Sequence, residues 1–210
     1  MTSSYLLILN NSDIDILDHM LSHQSLSAVI PDDRADHIRK YIYPSDRALS
    51  LAADLLCVYS LGCFTGDSVT GYNIQRAPGQ KPSLSDFPDI DFSYSHTDKA
   101  ILCSVTDEGR IGADIEYIDP SLDTEDLLYA LAPEEHTYID DFHDSAIIRE
   151  LLSLWTKKEA YTKCLGTGLS VSPETVNTLL PYVSDNMTTR IYGNYVYSVF
   201  HTNSKTYTSL

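Results

Sequence analysis

Two acidic residues in the middle of the chain could hold a cation. Asp114 and Glu116 stand two apart in the segment RIGADIEY, residues 110–117. In a β-strand, side chains two apart project from the same face, so the two carboxylates would lie side by side. Neighbouring acids repel each other, and Mg²⁺, which prefers carboxylate and phosphate oxygens, would compensate for this. The alternative is an edge strand whose acidic side faces solvent.

A third carboxylate and two cations lie in LLSLWTKKEAYTKCLGTGLS, residues 151–170. If this segment is a helix, Glu159 and Lys163 share one face, and Lys158 points about 100° away from Glu159. The first two could hold a metal ion and a phosphate, or they could form a surface ion pair worth about 0.3 kcal/mol. The segment alone does not decide between these possibilities.

Three more polar residues lie upstream of the acidic pair. Lys81 stands on a turn-rich loop that we predict to be rigid and exposed, and Ser95 and His96 stand at the end of a predicted strand. Adjacent serine and histidine residues rarely meet in the geometry of a nucleophile and its base, so a hydrolase triad is not expected. The histidines show no zinc-binding motif.

The elements that must position these residues follow from periodicity. The predicted strands are 5–9, 91–95, 100–106, 110–117, 188–192 and 195–201, and the main predicted helices are 13–21, 47–61 and 144–165. Residues 171–180 are predicted to be irregular or strand. Hairpins rather than strict βαβ alternation favour an α+β or mixed α/β fold with mainly antiparallel sheets. Helices followed by paired strands recur, so two halves are possible.

Composition limits the class of protein. The chain has 210 residues, enough for one large core or two small ones, and a net charge of −16. That charge argues against binding to nucleic acid or to an anionic membrane, although one small basic pocket is compatible with it. No run approaches the roughly 20 consecutive apolar residues that span a bilayer. Four cysteines without paired spacing favour free thiols in the cytoplasm.

Four segments resemble the motifs of one enzyme family. IGADIE (111–116) and WTKKEAYTKCLGTGLS (155–170) are similar to the two signature motifs of 4′-phosphopantetheinyl transferases, and GQKPSL (79–84) and FSYSH (92–96) are similar to two weaker motifs. Their order and spacing agree with the family over residues 79–170. The length of the chain suits the monomeric type that activates surfactin synthetase.

The resemblance implies a reaction and an architecture. Members of the family move the phosphopantetheine arm of coenzyme A onto a serine of an apo acyl or peptidyl carrier protein and release adenosine 3′,5′-bisphosphate. The larger members are pseudo-dimers of two similar α/β halves, related by a pseudo-twofold axis, with the active site between them. For this chain we expect halves 1–106 and 107–210.

The resemblance also assigns roles to residues. Asp114, Glu116 and Glu159 would coordinate Mg²⁺, and Lys163 would bind the diphosphate with Lys158 in the same site. Glu159 is the candidate base for the incoming serine. The adenosine and its phosphates would be held by Lys81, Ser95 and His96, and candidates for the 3′-phosphate are Arg34, Arg39, Lys40 and Arg47. Two departures from the family pattern are Gln80 and Ser93, and neither removes a charged ligand.

Carrier proteins are usually acidic, so a chain of −16 must dock through a local apolar or basic patch. We expect a cytoplasmic monomer that binds coenzyme A and a carrier protein. A different class, a non-catalytic coenzyme A or nucleotide-binding module with a decayed site, stays open at this point. So does a Mg²⁺-dependent phosphohydrolase.

Overall fold

The computed structural model describes residues 1–21, 23, 26–67, 72–77, 79–143 and 145–203, except for the side chains of Ser145 and Leu169. The helices α1 to α7 span Asn11–Met20, Asp32–Ile38, Pro44–Thr65, Glu125–Tyr129, Pro133–Ile139, Ser145–Leu165 and Pro181–Ser184. The strands β1 to β8 span Thr2–Ile8, Ile74–Gln75, Ser83–Leu84, Asp91–Thr97, Ala100–Thr106, Arg110–Tyr117, Met187–Tyr192 and Tyr195–Thr202.

Two three-stranded antiparallel sheets form the framework, with strand orders β1-β5-β4 and β6-β8-β7, and β2 pairs with β3. Both larger sheets are built in the same chain order. A first strand is followed by a long helix and then by a hairpin, and the last strand returns to the sheet centre. This arrangement confirms the predicted mixed fold with small antiparallel sheets. The chain crosses between the sheets at residues 107–109, and the division into two domains at this point stays a prediction.

Each sheet packs against one long helix, α3 on the first and α6 on the second. Pro44 starts α3 at a position where its missing N–H costs nothing, and Gly66 ends the helix in a left-handed conformation. By length and composition α3 could span a membrane, although 72% of the relevant window is buried inside the protein. Asp46, Arg47 and Asp54 interrupt its apolar residues, so the helix is not an uninterrupted apolar run.

Side chains join the open edges of the two sheets. The Asp91 carboxylate on β4 accepts a 2.8 Å hydrogen bond from the Ile111 N–H on β6, and the Ser93 hydroxyl accepts one of 3.0 Å from the Ala113 N–H. These contacts satisfy backbone donors that an edge strand leaves unpaired. They place the far end of β4 opposite the acidic residues of β6.

The observed bounds of strands and helices agree best with the predicted ones where the hydrophobic pattern was longest. Strand β6 matches its prediction at both ends, and α6 ends at Leu165 as predicted, whereas its predicted first residue, Asp144, lies outside the described residues. Residues 171–180 contain a 3₁₀ turn at Pro173–Thr175 and no strand, so the strand alternative for that segment was wrong. Apolar residues there contribute to buried clusters from irregular backbone, with Val176 in one of them.

Candidate active site

Asp114, Ser95 and Lys163 meet in a hydrogen-bonded triangle. The Lys163 ammonium lies 2.5 Å from Asp114 Oδ1, the Ser95 hydroxyl donates to the same oxygen at 2.7 Å, and Lys163 Nζ lies 3.0 Å from Ser95 Oγ. The three residues come from β6, β4 and α6, so the triangle spans both sheets. Asp114 is only 3% exposed, and within the described residues its Oδ2 is buried without a hydrogen-bond partner.

The three predicted metal ligands influence one another electrostatically. Burial raises the pKa of Asp114, and the Lys163 ammonium only partly offsets this. Burial also raises the pKa of Glu116, and the Asp114 carboxylate raises it further. The pKa of Glu159 is raised by burial and by Asp114, while Lys163 lowers it. Asp114 and Lys163 therefore each act electrostatically on both Glu116 and Glu159.

Glu116 has its own contacts on the protein. Thr97, at the end of β4, donates a 3.1 Å hydrogen bond to Glu116 Oε2, and the Trp155 side chain is a second hydrogen-bond partner that lowers the pKa of Glu116. The predicted i,i+4 geometry of Glu159 and Lys163 holds because α6 is continuous over both. The Lys163 ammonium nevertheless pairs with Asp114 on the neighbouring strand, so the simple surface ion pair does not describe it.

Gly112 is a functional position that the sequence interpretation missed. A side chain there would collide with the α6 backbone at Ala160 and Cys164. The absence of a side chain lets α6 lie directly on β6, which brings Lys163 to Asp114. A glycine inside an apolar strand often indicates a close backbone approach, and this signal could have identified it.

A cavity of about 550 Å³ opens beside the triangle. It is lined by the Lys81 loop, by Ser93 and Tyr94 on β4, and by Lys163, Gly166, Thr167, Gly168 and Ser170. Its volume falls in the range of small-molecule sites. The predicted site residues Lys81 and Lys163 line this one cavity.

Lys81 is not exposed, although the composition of its loop predicted that it would be. Its side chain is largely buried, forms an ion pair with Asp91, and donates a 2.6 Å hydrogen bond to the Ile111 carbonyl. Burial lowers the pKa of Lys81, and Asp91 opposes that change. The Lys81 ammonium therefore also helps to hold β4 against β6.

His96 lies at the surface end of β4. Partial removal of its ring from solvent lowers its pKa, and the Lys163 and Arg34 cations lower it further. The lowered pKa favours the neutral ring, in which one nitrogen donates a hydrogen bond and the other accepts one. Ser95, its neighbour, points instead to Asp114 and Lys163.

Lys158 lies outside the cavity lining, and its expected role in the ligand site stays a prediction. Its ammonium is buried, pairs with the fully buried Glu135, and donates to the carbonyls of Pro173 and Val176. The 3.6-residue helical period turns Lys158 away from Glu159 and into the core. Lys158 therefore connects α6 to residues 173–176, which follow the cavity-lining residues in the chain.

Arg47 is likewise occupied within the protein. Its guanidinium forms two hydrogen bonds with Asp18, at 2.6 and 3.1 Å, and donates to the carbonyls of Tyr41 and Ile42. Arg47 therefore holds the loop before α3, and its expected contact with coenzyme A stays a prediction. Arg34 is bound to buried Asp54, which also holds Arg76, a cation that the sequence interpretation did not select.

The residues fit a hard divalent cation in their chemistry. Within the described residues, no group of three or more His, Cys, Asp or Glu side chains is arranged as a finished metal site. However, Asp114 presents one buried oxygen without a partner, and two further carboxylates share its electrostatic surroundings. Oxygen ligands of this kind suit Mg²⁺.

Known proteins resemble this chain across much of its length. Residues 110–206 match the model of the 4′-phosphopantetheinyl transferase superfamily. The 4′-phosphopantetheinyl transferase HetI of Nostoc sp. is 28% identical over 162 residues, which cover 75% of this chain and 68% of HetI. A 4′-phosphopantetheinyl transferase of Bacillus subtilis is 26% identical over 147 residues, covering 70% of this chain and 64% of the relative. Sfp of Bacillus subtilis strain 168 is 27% identical over 169 residues, covering 74% and 70%.

The fold, the Asp114 triangle and these relatives together make the chain similar to the phosphopantetheinyl transferases. The match to the superfamily model covers slightly less than half of the 210 residues. The matches of the chain to the three relatives cover about two thirds of their lengths.

Proposed function

We propose that this protein transfers the 4′-phosphopantetheine arm of coenzyme A to a serine of an apo acyl or peptidyl carrier protein, with Mg²⁺, and releases adenosine 3′,5′-bisphosphate. The observation that carries the proposal is the triangle of Asp114, Ser95 and Lys163 at the edge of a ligand-sized cavity. Phosphoryl transfer depends mainly on positioning and on neutralising charge, and this arrangement provides both.

The residues around the cavity are the proposed binding site for the diphosphate. Lys163 is the cation nearest to Asp114, and its ammonium can exchange part of that ion pair for a phosphate oxygen. Lys81 and His96 lie on the β4 side and are the proposed contacts to the adenosine and its phosphates. Both are held in place by the protein, Lys81 through Asp91 and His96 through β4.

Asp114, Glu116 and Glu159 would hold the Mg²⁺ ion, which when bound supplies Lewis-acid charge neutralisation for the diphosphate. The unpartnered Asp114 Oδ2 supports this assignment. Ser95 and Lys163 fix the other oxygen of the same carboxylate and so orient it.

Glu159 is the proposed general base. It accepts the proton of the carrier serine while the serine oxygen forms a bond to the phosphorus attached to the pantetheine arm. The bond from that phosphorus to the bridging oxygen breaks, and adenosine 3′,5′-bisphosphate leaves with the electron pair. A carboxylate whose pKa is raised by burial is a stronger base than a free one at the same pH.

The test is transfer of labelled phosphopantetheine from coenzyme A to a panel of apo carrier proteins, followed by mass spectrometry. We expect transfer with Mg²⁺, loss of transfer with a chelator, and loss in Asp114→Ala and Glu159→Ala variants that keep the wild-type circular dichroism spectrum. Glu125→Ala, which removes an exposed carboxylate on α4, is the matched control. Full activity in both site variants would contradict the metal assignment.

Two other outcomes would redirect the assignment. Coenzyme A binding without transfer to any carrier would favour a non-catalytic binding module. Hydrolysis of coenzyme A without an acceptor would favour a phosphohydrolase. We further propose that the enzyme acts as a cytoplasmic monomer, which a fractionation experiment and sedimentation of the purified protein would check.

A further inference from the structure

Three consecutive large apolar residues stand exposed on the loop between α2 and α3. Tyr41, Ile42 and Tyr43 are 41%, 83% and 65% exposed. In the described part of the chain, other exposed large apolar residues occur singly or as the pair Ile191 and Tyr192. Burying such side chains against a partner is favourable, and exposed groups of them mark interaction surfaces.

The exposure is built into the loop by specific contacts. Arg47 donates to the Tyr41 and Ile42 carbonyls at 2.9 and 3.0 Å, and Asp18 holds the same guanidinium. The Tyr43 carbonyl accepts the first backbone hydrogen bonds of α3. The backbone is therefore tied down while the side chains of Ile42 and Tyr43 face outward, which reduces the entropy lost when a partner binds.

The loop also lies near the candidate active site. Asp46, three residues after Tyr43 in the first turn of α3, acts electrostatically on His96 together with Lys163. Helix α3, into which the loop leads, also packs against β4, the strand that carries Ser95 and His96. A protein bound to the loop therefore lies beside an element in contact with the strand that bears Ser95 of the triangle.

The local charge around this loop also favours the binding of an acidic partner. Residues 37–45 contain no Asp or Glu, although the chain has 30 acidic residues and a net charge of −16. Lys40 is exposed within this stretch. A partner with an acidic surface meets less repulsion here than on a face rich in carboxylates.

We infer that Tyr41, Ile42 and Tyr43 form the docking surface for the acceptor carrier protein, with Arg47 as the positioning residue of the loop. This inference rests on the proposed transferase function. The partner it requires is a protein that places an apolar patch beside its acceptor serine. Coenzyme A occupies the separate cavity, so the two substrates use different surfaces.

The test compares two double variants. Ile42→Ser with Tyr43→Ser removes the docking side chains, and Ile191→Ser with Tyr192→Ser removes a similarly exposed pair on the β7–β8 hairpin. We expect the first variant to raise the KM for the carrier at least about tenfold, with the KM for coenzyme A unchanged. We expect the hairpin variant to match the wild type. Equal effects of both variants, or no effect of the first, would overturn the inference.

Arg47→Met tests the positioning role, because it releases the loop without altering its apolar side chains. The expected result is a higher KM for the carrier at an unchanged KM for coenzyme A. A change in the KM for coenzyme A alone would return Arg47 to the coenzyme site and contradict the inference. A wild-type dimer that the Ile42→Ser and Tyr43→Ser variant dissociates would assign the surface to a second copy and overturn it. If the wild-type protein transfers to no carrier, the proposed function fails, and direct binding of carrier to the two variants still tests the surface.

Discussion

Gly112 on β6 lies directly under the α6 backbone at Ala160. A Cβ atom added to Gly112 would lie 1.8 Å from the Ala160 carbonyl oxygen and 2.5 Å from the Cys164 nitrogen. These are backbone atoms, so relief requires movement of the helix. The separation of helix and strand, and with it the contact of Lys163 with Asp114, depends on a residue without a side chain.

Gly112→Ala is therefore expected to reduce both stability and activity. Overpacking of a rigid contact costs about 1–3 kcal/mol or more, and the displaced α6 would carry Lys163 away from Asp114. Urea unfolding and the transfer assay measure the two effects. Gly193→Ala, at a left-handed turn with open space, is the control and should cost about 1 kcal/mol without loss of transfer by the folded protein. Wild-type stability in Gly112→Ala would contradict the close packing.

Lys163→Met is expected to lower kcat/KM about 10²–10³-fold, because it removes a charged donor aimed at the diphosphate. The methionine keeps the length of the side chain and much of its packing. Lys157→Met, on the same helix and outside the cavity lining, is the matched control and should keep most of the activity. A loss of similar size in the control would point to general damage to α6.

Lys158→Met is expected to destabilise the fold by about 3–5 kcal/mol, since it leaves the buried Glu135 carboxylate without its cation. The double variant Lys158→Met with Glu135→Gln should recover part of that loss. Urea unfolding measures both. Unchanged stability combined with weaker coenzyme A binding would instead support the role of Lys158 in the coenzyme A site that the resemblance implied.

Alkaline stability is expected to depend on Cys164, which is fully buried under β6. Burial raises the pKa of its thiol from 9.0 to about 11. The unfolded chain therefore loses this proton first, so the contribution to stability is complete below pH 9 and is lost as the pH rises towards 11. A shift of this size corresponds to roughly 2–3 kcal/mol.

The measurement is urea unfolding at pH 8 and pH 10.5. In Cys164→Ala the free energy of unfolding should decrease less between these two pH values than in the wild type. In Cys63→Ala, a change at an exposed position, it should decrease as in the wild type. Parallel decreases in the wild type and in Cys164→Ala would exclude this thiol as the cause.

Local sequence patterns determined the elements that carry the site. The two-residue period of 110–117 put Asp114 and Glu116 on one face of β6, and the helical period placed Glu159 and Lys163 together on α6. These patterns depend only on neighbours along the chain, which is why they could be interpreted without a fold. Four ordered motifs then indicated the resemblance to a known family.

Tertiary structure decided which charges meet. Lys163 pairs with Asp114, 49 residues away in the chain, and Lys158 with Glu135 in the core. Arg47 is tied to Asp18, 29 residues before it. Such pairs depend on how α6 and α3 pack, and a list of charged residues does not contain that information. The sequence by itself determined which acids and lysines could form the site, and packing of α6 against β6 at Gly112 decided that Lys163 meets Asp114, because backbone contact sets the distance between helix and strand.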